Sequence, residues 1–215
     1  MIYKCQVLIV STAAQVEARI ARMRKGVPFS IEGFYELGTE STVQKAFSRL
    51  AKTGEIVRVS KGFYVRPKSI ESLPGAKIMP SPEEVAKAWA RSHGYKLVSH
   101  GFEAAYRLGL QTQAPARTIY WTNGPSREFK VGNSVVQVKH VASSKLKWLN
   151  QPEGLILRSL SVMEPEHFKP EQFRKVFKRL SLTGSEKKRV LKNLKHSTLS
   201  SQWRHKLMQV ESATV

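Results

Sequence analysis

A group of polar and basic side chains between residues 41 and 66 has the chemistry needed to contact a nucleic acid. Arginine and lysine can pair with guanine and glutamine with adenine, so Gln44, Lys45 and Arg49 are the best candidates for base edges or phosphate. Hydroxyls at the start of a helix suit phosphate, so Ser41 and Thr42 are expected either to bind phosphate or to cap the helix. The full set of candidates is Ser41, Thr42, Gln44, Lys45, Ser48, Arg49, Lys52, Arg58, Lys61 and Arg66.

The candidates from Ser41 to Lys52 share one face of a predicted helix, called here the Ser41–Lys52 face. Apolar residues on the other face recur with the i, i+3, i+4, i+7 spacing of a helix that packs on a core, namely Val43, Ala46, Phe47 and Leu50. Thr39 is placed to cap the start of this helix and Gly54 to end it. A polar face of this composition is suited to a major groove; the alternative is an exposed face that is basic for solubility alone.

A short β-hairpin is predicted directly after this helix. Ile56, Val57 and Val59 precede a turn at residues 60–62, and the strand-like run 63–65 follows. The charges of this segment are Arg58, Lys61 and Arg66, which are all positive. A polar-faced helix followed by a basic hairpin is typical of a winged helix-turn-helix, in which the wing contacts backbone phosphate. An amphipathic helix and hairpin in any other small domain would give the same pattern.

Two further helices are predicted upstream. Thr12–Gln15 has a capping-box pattern, and an apolar stripe follows it at Ala13, Val16, Ile20 and Met23. A shorter helix fits Ser30–Leu37, and Gly38 supplies a turn before the helix that begins after Thr39. Three helices and a hairpin in this order predict a winged helix-turn-helix domain over residues 12–66.

The charge of the chain predicts a polyanionic partner. Its 215 residues include 36 Lys and Arg against 16 acidic residues, a formal net charge of +20, and every acidic residue is Glu. Such an excess favours a nucleic acid or an acidic protein as partner. The apolar run Val7–Val10 is too short for a membrane span and a poor match to a signal peptide, so we expect a cytoplasmic protein that does not enter a membrane.

The residue types argue against an enzyme, a metal site or a cofactor. The single cysteine, Cys5, excludes an internal disulfide and a cysteine-based metal cage, and the six histidines show no paired metal-ligand spacing. Two-metal phosphoryl transfer needs clustered carboxylates, and nucleophilic catalysis needs an acidic residue that orients the base. The chain contains no Asp, so it has few residues that could fill either role. We therefore expect no catalytic residues.

A second domain is predicted over residues 81–215, after a Pro- and Gly-containing linker at 67–80. Ser81 and Glu84 form a capping box at its start. Strands are predicted at Ile119–Thr122, Arg127–Val131 and Val135–Val141, followed by helices at Leu155–Val162, Glu171–Leu180, Ser185–Leu194 and Leu199–Met208. The last three helices form a basic tail, so the predicted fold class is α+β: a winged helix-turn-helix domain and an α+β domain that ends in basic helices.

One loop in this domain has a weak resemblance to a phosphate-binding loop. Thr122–Arg127 combines a glycine, hydroxyls and an arginine, which can surround an anion. It lacks the glycine-rich spacing and the lysine of a nucleotide loop. A turn that shapes the domain is the alternative.

Several segments taken together resemble the AbiEi-type antitoxins of type IV toxin–antitoxin systems. They are STVQKAFSRLAKTGEIVRVSKGFYVRP from Ser41, PSPEEVAKAWARSHG from Pro80, LGLQTQAPA at Leu108–Ala116 and TNGPSR at Thr122–Arg127. The resemblance covers residues 12–165, and SSQWRHKL at Ser200–Leu207 is similar to a tryptophan-containing close of that family.

This resemblance implies a transcriptional autorepressor involved in phage defence. The N-terminal winged helix would bind repeats in the promoter of its own operon, with the Ser41–Lys52 face as recognition surface and Arg58–Arg66 as the wing. The C-terminal domain would be tied to antitoxicity against a nucleotidyltransferase-like toxin encoded beside it. Helix-turn-helix geometry adds the expectation of a homodimer on repeated half-sites. The alternatives are a basic adaptor for an acidic protein and an RNA-binding module without operator specificity.

Overall fold

A computed structural model describes residues 11–70 and 73–212, and it has the mixed α+β architecture that the sequence predicts. The chain divides into two compact units, Met1–Gly94 with Phe129–Val135, and Tyr95–Glu128 with Val136–Val215. The domain boundaries 12–66, 67–80 and 81–215 stay predictions; the compact units differ from them in grouping the helix that follows Ser81 with the first unit. The predicted apolar run Val7–Val10 lies outside the described residues.

The first unit begins with α1 (Thr12–Arg22), which starts one residue earlier than its predicted cap implies. Ser11 is the N-cap, and its hydroxyl accepts a hydrogen bond from the N–H of Ala14 at 3.2 Å. Thr12 is instead the first helical residue, and its hydroxyl donates to the carbonyl of Leu37 at 3.1 Å. The predicted apolar stripe is correct, because Val16 and Ile20 are buried and Ala13 and Met23 pack against the same core.

The short helix predicted at Ser30–Leu37 is present only in part, and it is a 3₁₀ helix. The segment forms β1 (Phe29–Ser30) and a 3₁₀ helix at Glu32–Leu37. Phe29 and Ser30 pair antiparallel with residues of the following hairpin, and the N–H of Ile31 donates to the carbonyl of Gly62 at 2.9 Å. Pairing with a segment more than thirty residues further along the chain therefore decides the local structure, which the apolar pattern alone does not reveal.

The predicted central helix and hairpin are present as α2 (Glu40–Lys52), β2 (Val57–Ser60) and β3 (Phe63–Val65). Thr39 caps α2, and the sheet order is β1-β3-β2. The inner face of α2 is buried as predicted. Phe47 is fully buried, and its ring centroid lies 5.0 Å from that of Phe34 and 4.9 Å from that of Tyr64.

The segment predicted as a linker contains a second hairpin, β4 (Lys68–Ile70) and β5 (Leu73–Ile78). Proline and glycine suggested an irregular segment. In a two-stranded sheet, however, each strand has one edge without a neighbouring strand, and a proline whose missing N–H faces that edge removes no hydrogen bond between the strands.

The next helix, α3 (Pro82–Ser92), has the predicted capping box. The Ser81 hydroxyl accepts from the N–H of Glu84 at 3.2 Å, and the Glu84 carboxylate accepts from the N–H of Ser81 at 2.7 Å.

The second unit contains most of a four-stranded sheet. The strands are β6 (Leu97–Ser99), β7 (Thr118–Thr122), β8 (Arg127–Val131) and β9 (Ser134–His140), and α4 (Gly101–Leu108) follows β6. Residues 129–131 of β8 and 134–135 of β9 belong to the first unit. The sheet order is β6-β7-β9-β8; β7 pairs antiparallel with β6 and parallel with β9. The three predicted strands are confirmed to within one residue at each end.

Four helices complete this unit: α5 (Pro152–Leu160), α6 (Pro170–Arg179), α7 (Gly184–Lys195) and α8 (Ser201–Ser212). Their apolar stripes form one core with α4, in which Phe168, Phe173 and Trp203 are buried. None of the helices within 11–70 and 73–212 is long and apolar enough to cross a membrane.

Gly154 allows α5 to start against the preceding turn. A Cβ at this position would lie 1.9 Å from the carbonyl oxygen of Trp148, which already accepts a hydrogen bond from the N–H of Gln151 at 3.1 Å. Trp148 itself has a φ of 54°, a left-handed conformation that a bulky residue rarely adopts. The turn therefore has no room for a methyl group on the helix.

We predict that Gly154→Ala destabilises the protein by about 2–3 kcal/mol or more, because the methyl group displaces backbone rather than a flexible side chain. For a chain of this length the melting temperature should fall by roughly 5–12 °C. Gly184→Ala is the matched control, since a Cβ at this helical glycine would meet nothing within 4 Å. Thermal unfolding by circular dichroism checks both variants, and equal melting temperatures would contradict the packing described here.

Candidate nucleic-acid interface

The Ser41–Lys52 face is exposed along the whole of α2. Gln44, Lys45, Ser48 and Lys52 all lie at the surface, opposite the buried stripe. Among the described residues, no carboxylate lies within ion-pair distance of Lys45 or Lys52. These two ammonium groups are therefore available to a phosphate without first leaving a protein partner.

Arg49, on the same face, has an intramolecular partner. Its Nη2 lies 2.6 Å from Oε1 of Glu17 on α1, and the two side chains are 57% and 44% exposed. An exposed ion pair of this kind contributes less than about 1 kcal/mol. The pair orients Arg49 along the surface of α2 while leaving it able to exchange Glu17 for another anion.

Ser41 and Thr42 take part in the cap of α2. The Thr39 hydroxyl lies 3.2 Å from the Ser41 hydroxyl and 2.8 Å from the Thr42 hydroxyl, and it accepts from the N–H of Thr42 at 3.4 Å. The cap itself is Thr39, and the Ser41 and Thr42 hydroxyls contact its hydroxyl. Phosphate binding by Ser41 and Thr42 stays a prediction.

The basic hairpin contains one arginine with a clear structural role. Arg58 and Lys61 are exposed, as a phosphate-binding wing requires. Arg66 instead donates from Nη1 to the carbonyls of Ala21 at 2.6 Å and Met23 at 2.7 Å. It thereby satisfies carbonyls that the C-terminal end of α1 leaves without helical partners. This engagement competes with the predicted phosphate contact of Arg66.

The Thr122–Arg127 loop is a hydrogen-bonded turn. The hydroxyl of buried Thr122 accepts from the N–H of Gly124 at 3.0 Å, and Asn123 accepts from the N–H of Lys96 at 2.7 Å. The Ser126 hydroxyl accepts from the N–H of His140 at 2.9 Å. Because the polar side chains bind neighbouring backbone, the geometry favours the structural alternative over a phosphate loop.

Some cations of the basic tail form ion pairs within the protein, and others are exposed to solvent. Arg189 donates to Glu153 at 3.1 Å, and Lys195 pairs with Glu211. Other cations of α6 and α7, such as Lys175 and Lys178, are exposed. A groove of about 740 Å³ runs beside α7, and its lining includes four lysines and one carboxylate, namely Lys187, Lys188, Lys192, Lys195 and Glu211, together with Gly184, Leu191 and His196. The second unit therefore has its own cationic surface, separate from α2.

Two charged residues inside α5 were not among the sequence candidates. Glu153 is fully buried, and its Oε1 accepts from Arg189 and from Asn193, each at 3.1 Å. Arg158 is 4% exposed, and burial, followed by the charge of Arg107, lowers its pKa to about 10. The sequence feature that could have indicated Arg158 is a single arginine in an otherwise apolar helical run.

Among residues 11–70 and 73–212, no three His, Cys or Glu side chains lie close enough to hold a metal ion.

Comparison with known proteins gives a family without an assigned function. The model of that family, described as "Family of unknown function (DUF6088)", matches residues 15–191. No curated protein matches the sequence. The crystal structure of the RV2827C protein from Mycobacterium tuberculosis aligns with a TM-score of 0.39 and 15% identity, over 93% of this chain and 82% of that chain. A similarity this distant carries no argument about fold or function.

The different environments of Arg58 and Arg66 predict different effects on stability. Arg66→Ala should cost about 1–3 kcal/mol, because two carbonyls at the end of α1 lose a charged donor. Arg58→Ala removes the same charge from an exposed position and should change stability by less than about 0.5 kcal/mol. Urea titrations followed by circular dichroism measure both. Equal midpoints for the two variants would show that the Arg66 contacts do not support the fold.

Proposed function

We propose that this chain, which belongs to the DUF6088 family of unknown function, is a non-enzymatic DNA-binding regulator in which residues 12–66 act as a winged helix-turn-helix. The observation that carries the proposal is α2: one face is buried, and the opposite face presents Gln44, Lys45 and Lys52 to solvent next to a basic hairpin. This arrangement has the shape and chemistry of a recognition helix with a wing.

The proposed mechanism assigns different tasks to the helix and the hairpin. The Ser41–Lys52 face enters the major groove, where Gln44 and Lys45 are chemically suited to adenine and guanine edges. Arg58 and Lys61 contact backbone phosphate, which positions the helix without reading sequence. Arg49 exchanges Glu17 for a phosphate, because their exposed ion pair holds it only weakly.

The wider proposal follows the resemblance to AbiEi-type antitoxins. The protein represses its own operon in the cytoplasm by binding repeated half-sites in the promoter, as a homodimer on DNA. It also counteracts a nucleotidyltransferase-like toxin. The exposed cations of α6 and α7 support a second, acidic partner surface, because they lie in a different unit from α2. An adaptor for an acidic protein, or an RNA-binding module, would use the same charge without operator specificity.

DNA binding is tested by fluorescence anisotropy on the protein's own upstream promoter and on a scrambled duplex across a salt series. We expect the promoter to bind about 10³-fold more tightly than the scrambled duplex near physiological salt. Lys45→Ala combined with Lys52→Ala should weaken promoter binding about tenfold or more. Loss of a phosphate contact by Lys52 should reduce the salt slope by about 1, because each phosphate contact contributes ~0.9. Loss of the base contact of Lys45 should lower the preference for the promoter over the scrambled duplex.

The matched control removes two exposed lysines that lie outside α2, Lys87→Ala with Lys96→Ala. It should leave promoter affinity within about threefold of wild type, since general charge contributes little when salt screens it. The proposal fails if the α2 double variant binds and discriminates like wild type. Equal binding of wild type to both duplexes would favour the adaptor or the RNA-binding alternative.

Antitoxicity is tested by co-expression with the nucleotidyltransferase-like gene expected beside this one. Expression of the enzyme alone should arrest growth, and co-expression of the wild-type chain from an unrelated promoter should restore it. Lys45→Ala with Lys52→Ala should still restore growth, because the proposed toxin-directed surface lies in the second unit. Persistent arrest in the presence of the wild-type chain would refute the antitoxin role and leave the DNA-binding proposal standing.

A further inference from the structure

A cavity of about 420 Å³ in the second unit lies against α5 and the start of α8. Pockets for small organic ligands commonly have volumes of roughly 300–1,000 Å³. Part of the wall is apolar and includes Trp121, Leu160 and Trp203. The rest is polar and cationic, with Lys145 and Arg158 as the charged residues. This combination suits a ligand with an anionic end and an apolar or aromatic body.

Arg158 has no partner among the described residues that explains its burial. It is 4% exposed, and its Nε and Nη1 atoms are buried without a hydrogen bond. No carboxylate within the described part of the chain forms an ion pair with it, and the charge that acts on it most is a second cation, Arg107. Its pKa is lowered to about 10, so the guanidinium is still charged at neutral pH. A buried charge of this kind calls for an anion.

The groups around Arg158 have the chemistry to bind a phosphate. Lys145 is exposed at the cavity, with Nζ 5.3 Å from the centre of the Trp121 ring. Thr198 and Ser200 add hydroxyls, and Ser200 precedes α8 and accepts from the N–H of Trp203 at 3.4 Å. Ser200, Gln202 and Trp203, at the start of this twelve-residue helix, line the same cavity, so the positive end of the helix dipole lies at its wall.

We propose that this cavity binds a mononucleotide, with its phosphate against Arg158, Lys145 and the N-terminal end of α8 and its nucleoside against the apolar wall. A phosphate monoester matches two cations and a helix N-terminus in charge, and arginine binds phosphate oxygens through a planar pair of donors. The base and sugar account for the apolar part of the lining, which inorganic phosphate does not need. The site is independent of the α2 surface and of its proposed function.

The test is isothermal titration calorimetry and thermal shift on the full chain, with the four 5′-ribonucleoside monophosphates, inorganic phosphate and the corresponding nucleosides as probes. We expect at least one nucleotide to bind below about 1 mM and to raise the melting temperature. That nucleotide should bind at least about tenfold more tightly than inorganic phosphate or its own nucleoside, because each lacks half of the recognised chemistry.

Two variants locate the phosphate. Arg158→Met should abolish the nucleotide-induced shift while leaving the ligand-free melting temperature equal or higher, since an apolar side chain replaces an unpaired buried charge. Lys145→Ala should weaken binding about tenfold, whereas Lys147→Ala, a nearby exposed lysine that stacks on Trp148 instead, should not. If Arg158→Met melts well below wild type, Lys145→Ala decides the matter alone.

Three outcomes would overturn the proposal. One is the absence of binding by all four nucleotides at millimolar concentration. Another is equal affinity for a nucleotide and inorganic phosphate, which would leave the apolar wall without a role. The third is unchanged nucleotide affinity in Lys145→Ala, which would place the ligand elsewhere.

Discussion

The packing of Phe47 determines which face of α2 meets solvent. Its ring is fully buried and lies edge-on to Phe34 and Tyr64, at centroid distances of 5.0 and 4.9 Å. Rotation of α2 about its axis would withdraw this ring from both contacts, at a cost comparable to removing a core aromatic, about 3–5 kcal/mol. With Phe47 inward, Lys45 and Ser48 must face outward, because they lie on the other side of the helix. The polar surface on which the proposed function depends is thus positioned by an apolar contact beneath it.

Not every cation in this chain is available to a partner. Arg66 closes the end of α1, and Arg189 binds buried Glu153, so part of the formal charge of +20 supports the fold itself. Arginine suits this use because its guanidinium carries several donors that can satisfy carbonyls or a carboxylate. Exposed lysines such as Lys45 and Lys52 are different, since they add to the surface potential without an ion pair among the described residues. Charge counted along a sequence therefore overestimates the charge that a polyanion meets.

The features that the sequence predicted well are those with local causes. The helix after Thr39 follows from its cap and its apolar spacing, and the strand Arg127–Val131 follows from alternation next to a glycine turn. The predictions fail where contacts with a segment distant in the sequence determine the local structure or the partner of a side chain. Phe29 and Ser30 are extended because β3 pairs with them, and Arg66 bonds carbonyls more than forty positions upstream. For the candidate interface, the sequence indicated which residues lie on the surface but not which of them already have partners.

The two buried charges of α5 show why a stable fold does not account for Arg158. Glu153 is fully buried, yet one of its oxygens accepts from Arg189 and Asn193, which ties α5 to α7. Its desolvation is thereby partly offset within the protein. Arg158, on the same helix, receives no such compensation. Its Nε and Nη1 atoms have no hydrogen-bond partner among the described residues, and a second cation, Arg107, lowers its pKa further. An apolar residue at this position would cost the fold less. The anion site proposed above would account for a buried charge that weakens the fold.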